Sequence, residues 1–316
     1  MKTTYFYLLL LLVITLGCNK NDDDGPSNDE FTDFDIVGTA NFGPRHSHTA
    51  VAFNNKLWVI GGRVDGSPPK NDVWYSNDSS SWTEATAQAA FPERYSHATV
   101  VLDNKLWVIG GTSGSDFKND VWYSADGINW TQATANAAFA SRSRHRALVF
   151  DNKIWVIGGY AAQSFNDAWY STDGVSWTQA TANAAFEGRD LHTVAVFDNK
   201  MWVIGGWNDQ GTRLDDVWSS NNGIDWTEAT ATAGFSPRVN HATVVFENKL
   251  WVIGGRDSNV NKNDLWYSSD GATWTKFLEE AAFPERSRHT ATVFNNKIYV
   301  VGGFNNSALS DVWVSN

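Results

Sequence analysis

A pair of adjacent glycines recurs six times along this chain, at Gly61-Gly62, Gly110-Gly111, Gly158-Gly159, Gly205-Gly206, Gly254-Gly255 and Gly302-Gly303, with spacings of 49, 48, 47, 49 and 48 residues. A period of that size means one supersecondary unit copied along the sequence, and such a unit hides its apolar faces only by stacking on its neighbours. The second copy shows the unit in full. It runs Arg94-x-x-His97, an apolar stretch, Asp103-Asn104-Lys105, Leu106-Trp107-Val108-Ile109-Gly110-Gly111, a variable segment, Asn119-Asp120-Val121-Trp122-Tyr123-Ser124, Asp126-Gly127 and Trp130-Thr131. Leu106 to Ile109 is apolar at consecutive positions, so both faces of that strand must be buried, as where sheet packs on sheet. Asp-Asn or Asn-Asn before the lysine suits a two-residue hairpin that needs positive φ, and Asp126-Gly127 suits the next turn. The paired glycines end a strand where backbone passes close to a neighbour. Four short strands per unit follow.

Sixteen of the 17 tryptophans sit at three repeat positions. The second strand carries Trp58, Trp107, Trp155, Trp202 and Trp251, with Tyr299 in the sixth copy. The third carries Trp74, Trp122, Trp169, Trp218, Trp266 and Trp313, and the fourth Trp82, Trp130, Trp177, Trp226 and Trp274. All are expected in the core, each burying on the order of 200 Å².

The combination of Arg-x-x-His, double Gly, Asp-x-Trp and a late Trp resembles the Kelch repeat over residues 31–316. The resemblance implies an all-β fold: a six-bladed Kelch-type β-propeller with four antiparallel strands per blade. The last copy reads to Trp313-Val314-Ser315-Asn316, which supplies no fourth strand. Ahead of the first Arg-x-x-His, Phe31-Thr32-Asp33-Phe34 aligns with Trp274-Thr275-Lys276-Phe277 if two residues are inserted afterwards. Phe31 to Asp35 is therefore expected to form the outer strand of the last blade, closing the ring and removing a sheet edge.

Residues 1–17 read as a signal peptide, with Tyr5 to Leu16 an apolar stretch of 12 residues, too short for a comfortable span. Thr15-Leu16-Gly17-Cys18 resembles the lipobox of bacterial lipoproteins, with Leu one place late. Cys18 would be the lipidated residue, and as the only cysteine it can form no intramolecular disulfide. Plain secretion with a leftover thiol is the alternative. Residues 18–30, acidic and without packing apolar groups, read as a flexible tether, or as an export signal of the kind found in surface lipoproteins. The expected location is a bacterial outer membrane, held by the lipid anchor, with surface exposure one reading of the acidic run.

A net charge of −11 argues against nucleic acid as a partner. Arg45, Arg94, Arg142, Arg189, Arg238 and Arg286 of the Arg-x-x-His motifs carry two readings. One is scaffold, with Asp72, Asp120, Asp167, Asp216, Asp264 and Asp311 accepting their hydrogen bonds in buried networks. The other is a cationic collar at the channel mouth, since in some Kelch domains the equivalent arginine meets acidic residues of a bound peptide. Six histidines on six different blades do not converge as metal ligands must. The copies differ in the loop after each double glycine, whose first residue is Arg63, Thr112, Tyr160, Trp207, Arg256 or Phe304, with Phe117 and Phe165 further along. Variable loops on a repeated frame are where binding sits. Aromatics with a few arginines suit stacking on sugar rings or gripping a peptide, unless they fold down and plug the channel.

Arg63, Tyr160, Trp207, Arg256 and Phe304, with the six repeat arginines, are thus the ligand-binding candidates. Asp257-x-Asn259-x-Asn261 has alternating oxygens, but Lys262 stands where a calcium loop needs glycine. No catalytic motif, cofactor or metal is indicated. The Ser-x-Asp-Gly-x-x-Trp string resembles the Asp-box turn of sialidases, minus one residue, and reads as a turn. The expected function is a monomeric binding protein for a glycan or protein ligand. The alternatives are a sugar-processing enzyme of the sialic-acid mutarotase or epimerase kind, by fold analogy, and a pure protein-interaction scaffold.

Overall fold

The computed structural model describes Met1 and residues 31–316; the apolar leader, Cys18 and the whole tether lie outside the described residues. Six antiparallel sheets stand around one axis. The first blade is Thr49–Phe53, Lys56–Gly62, Lys70–Ser76 and Thr83–Thr86, from the axis outward. The next four blades repeat that order. The sixth is Thr290–Phe294, Lys297–Asn305, Ser307–Ser315 and, from the other end of the chain, Phe34–Thr39. Inner strands of adjacent blades touch all the way round, including Thr49–Phe53 against Thr290–Phe294.

The consecutive apolar run of the second strand does what its pattern requires. In the first blade, Leu57 and Val59 pack into the junction with blade six, beside Tyr299 and Val301. Trp58 and Ile60 face the other way, with Leu106 and Val108 of blade two. The core therefore lies between blades. Both residues of each hairpin turn have positive φ, as at Asn54-Asn55 (48° and 54°) and Asp103-Asn104 (50° and 53°). Glycine at the Asp-Gly turn has a second cause besides its φ of 76°: a Cβ on Gly127 would lie 2.2 Å from the Trp58 ring of the preceding blade.

The tryptophans divide into two kinds. The second-strand set is buried, with Trp58 2% exposed, and the outer-strand set nearly so, with Trp130 8% exposed against the edge of Phe91. The third-strand set is only half-buried. Its indole Nε1–H groups donate to the repeat aspartates, as Trp122 does to Asp120 Oδ2 at 2.8 Å. These six side chains are polar anchors as much as core.

Ring closure by the N-terminal strand is present, but not in the expected register. Phe34–Thr39 pairs with Ser307–Ser315, setting Phe34 opposite Ser315 and Ile36 opposite Trp313, with a bulge before Gly38. Phe34, not Phe31, takes the place of the outer-strand tryptophan. It meets the ring of Phe283 edge-on at 5.1 Å, as Trp274 meets Phe235 at 5.3 Å. The sequence alignment slid by three residues because two phenylalanines compete for one slot. Phe34→Ala is expected to lower unfolding stability by about 3–5 kcal/mol in a denaturant titration. A loss below about 1 kcal/mol would show that the ring does not rely on this strand.

Candidate functional site at the channel mouth

The six repeat arginines are placed inside the blades. Each is 0–1% exposed. Arg94 grips Asp120 with both amino groups, at 2.9 and 2.8 Å, gives another hydrogen bond to the carbonyl of Gly110, and donates from Nε to the carbonyl of Pro92. Arg142 with Asp167, Arg189 with Asp216, Arg238 with Asp264, Arg286 with Asp311 and Arg45 with Asp72 repeat the two-pronged grip. Burial pushes Asp120, Asp264 and Asp311 up, but the arginine forks and indole donors outweigh it and hold all three below the usual carboxylate range. The forks of these arginines are filled by the frame, and the side chains offer no surface to a collar.

The motif's next two residues build the mouth. The residue before each histidine is left-handed, at φ 53–58°: Ser47, Ser96, Arg144, Leu191, Asn240 and Arg288. The N–H of each donates to the carbonyl of its counterpart one blade back, at 2.8–3.2 Å, and Ser47 closes the circle on Arg288. Six backbone hydrogen bonds thus ring the axis. Outside them a second ring pairs His46 with Arg63, Tyr95 with Thr112, Ser143 with Tyr160, Asp190 with Trp207, Val239 with Arg256 and Ser287 with Phe304. The variable loops and the Arg-x-x-His segments therefore share one face. The double glycine fits this crowding: a Cβ on Gly62 would lie 2.6 Å from the Cβ of His48.

Arg63, Tyr160, Trp207, Arg256 and Phe304 all lie on this face, but the structure does not gather them. Arg63 is over the ring of Tyr95 at 5.4 Å, and Phe304 is between Arg288 (5.5 Å) and His46 (5.4 Å, edge-on). Tyr160 and Trp207 do line one pocket together. That pocket, of about 490 Å³, is between blades three and four, and Arg144, Asp190, Asn208 and Asp209 complete its polar wall. Phe117 stands edge-on to Tyr160 at 6.0 Å, while Phe165 is packed under Arg142. In the calcium candidate, Asp257 is paired with Lys262 at 3.2 Å, and among the described residues no group of three or more His, Cys, Asp or Glu could hold a metal.

The pocket exists because blade three departs from the others. Its second strand stops at Ile157, and the following loop folds on itself where Tyr160 bridges Ser164. Blade four holds that loop: Asp209 Oδ1 accepts from the N–H of Ser164 at 2.7 Å, and Ser164 Oγ donates to Asp190 Oδ2 at 3.3 Å. Asp190 is 3% exposed, and its Oδ1 accepts no hydrogen bond among the described residues. Arg144 Nη1 lies 3.6 Å from that oxygen. Burial pushes the Asp190 carboxyl up, against the pull of Arg144. Arg213 covers Trp207 at 4.6 Å, and Glu187 accepts from Asn208 Nδ2 at 2.7 Å.

Six blades of four antiparallel strands, closed by the chain's two ends, define a β-propeller. A sequence profile described as the KLHDC2/KLHL20/DRC7 Kelch-repeats domain matches residues 26–185 and again 168–316, and the chain belongs to this Kelch-repeat family. No curated protein matches it significantly. Kelch propellers are binding and protein-interaction scaffolds, and that is the function the fold carries.

The histidine ring sets the sign of the pH response. Burial, aided by the neighbouring arginine charge, holds His97 and His289 down to about 3. Burial and Arg288 hold His46 down to about 4 despite Asp65. Unfolded imidazoles protonate near pH 6.5, so between those values the unfolded chain binds more protons. Stability is complete above about pH 6.5 and falls below it, by up to about 1.4 kcal/mol per pH unit per histidine. Denaturant midpoints should drop steadily from about pH 7 to about pH 5. A flat profile would mean that the imidazoles take up protons within the fold.

Proposed function

We propose that this propeller is a carbohydrate-binding protein whose ligand seats a sugar ring in the pocket between blades three and four. The carrying observation is the pairing of two aromatic rings, Tyr160 and Trp207, with a buried carboxylate oxygen of Asp190 whose one partner among the described residues is the long ion pair with Arg144 at 3.6 Å. A sugar presents an apolar C–H face and a rim of hydroxyl donors. The first suits an aromatic ring, and the second supplies a hydrogen bond to Oδ1, which Arg144 reaches only at 3.6 Å. Arg144 and Asn208 add donors on the same wall. The lipobox-like leader and acidic tether fit display on a bacterial outer membrane, which would bring such a pocket to extracellular glycans.

The Asp190 carboxyl, pushed up by burial, favours one second reading, a mutarotase- or epimerase-like enzyme in which it shuttles a proton. A glycan array and a titration with the best-bound sugar decide between them. Trp207→Ala and Asp190→Asn are each expected to weaken binding about ten-fold or more. Unchanged profiles would remove the pocket from consideration. Turnover of the bound sugar that Asp190→Asn abolishes would make the protein an enzyme.

A further inference from the structure

The histidine ring and the strands behind it enclose a cavity of about 230 Å³ on the propeller axis, separate from the sugar pocket although Arg144 and Leu191 border both. The position after each histidine faces this channel: Thr49, Ala98, Arg146, Thr193, Ala242 and Thr290. Where it is threonine, the hydroxyl reaches the Nε2 of the next blade's histidine. Thr193 meets His241 at 2.8 Å, Thr49 meets His97 at 3.1 Å, and Thr290 meets His48 at 3.3 Å. The third blade breaks the pattern with an arginine.

Arg146 is surrounded by protein, and what surface it keeps belongs to the channel. Its Nε donates to the carbonyl of His192 at 2.7 Å, which fixes the plane of the guanidinium. Among the described residues, neither terminal amino group has a protein acceptor, and no carboxylate lies within 4.0 Å. This contrasts with the six repeat arginines, whose forks are all filled by aspartate. The residues lining the cavity include two further arginines, Arg144 and Arg288, and no Asp or Glu. Hydroxyl groups of Thr99 and Thr243 also face it. A protein of net charge −11 has thus set three arginines around this channel with no carboxylate in its lining; the nearest counter-charge, Asp190, lies behind it and pairs with Arg144 at 3.6 Å. The Arg146 guanidinium is half-buried with its terminal amino groups toward the channel, and an anion that fills the fork there gains two charge-assisted hydrogen bonds in a partly desolvated site.

We infer that the central channel is a binding site for a small oxyanion, a phosphate or carboxylate group held two-pronged by the terminal amino groups of Arg146. The cavity limits the ligand to the anion itself or a short acid bearing it. The mouth arginines, Arg144 and Arg288, draw it in by charge.

The test compares melting temperatures in inorganic phosphate and in acetate, against chloride at matched ionic strength, for the mature protein and two variants. Arg146→Thr restores the residue of three other blades and gives His192 Nε2 the hydroxyl it lacks, so this variant is expected to fold. Wild type should show a saturable rise of roughly 3–5 °C at about 100 times the dissociation constant of the bound anion. Arg146→Thr should lose it, and Trp207→Ala, which touches only the sugar pocket, should keep it. Phosphate alone acting would assign a tetrahedral dianion, and acetate acting as well would assign a carboxylate-sized site. Salt exclusion from the surface also raises melting temperature, but it acts on every variant alike. An equal rise in wild type and Arg146→Thr, or none in either, overturns the inference without bearing on Trp207.

Discussion

In every blade one arginine stitches the sheet to the one before it, across a junction that apolar packing also fills. Arg94 shows how: its backbone belongs to the previous blade, accepting from the N–H of Gly62 at 2.9 Å and donating to the carbonyl of Lys70 at 3.0 Å. Its side chain belongs to its own blade, gripping Asp120 and the carbonyl of Gly110. Arg45 makes the same stitch across the closing junction, from Leu309 and Gly303 of the last blade to Asp72 of the first. The packing between blades is apolar and non-directional, so it brings the sheets together without fixing their angle. The ion-paired stitches supply direction. They also fix the histidine that follows three residues later, and with it the left-handed residue whose N–H enters the backbone ring around the axis.

That division of labour explains what could be read from the sequence. The blade count, strand order, hairpin turns and N-terminal closure follow from repeated residues, because repetition exposes constraint. The closing strand slid by three residues since Phe31 and Phe34 look alike, and only the contact with Phe283 separates them. The third-strand tryptophans read as core from composition, whereas their half-burial follows from the hydrogen bond each gives to aspartate. The repeat motif Arg-x-x-His leaves its two middle positions unspecified, and these are the most informative ones. Those positions hold Arg144, Asp190 and Arg288, and the residue just past the motif holds Arg146. The usable signal was departure from pattern: an arginine where other blades have threonine or alanine, and an aspartate where they have His, Tyr, Ser or Val.

A frame held by its own arginine–aspartate pairs frees the mouth to vary. None of the groups assigned to binding takes part in the stitches, so a loop can change without loosening a blade. Blade three shows the extreme. It gives up the hairpin extension that blades such as the second and fifth keep, and the space released becomes the pocket between Tyr160 and Trp207. Behind that pocket, the same blade places an unneutralised guanidinium in the channel. Both departures sit in one third of the ring, which gives an otherwise six-fold scaffold a working side.

The stitch itself can be measured by a double-mutant cycle on Arg94→Met and Asp120→Leu, in a blade that lines no part of the sugar pocket. Each single change strands the other charge in the interior and should cost roughly 3–5 kcal/mol. The double variant should recover more than about 2 kcal/mol of the summed loss. Single costs within about 0.5 kcal/mol of zero, or costs that simply add, would mean that the blades are held by apolar packing alone.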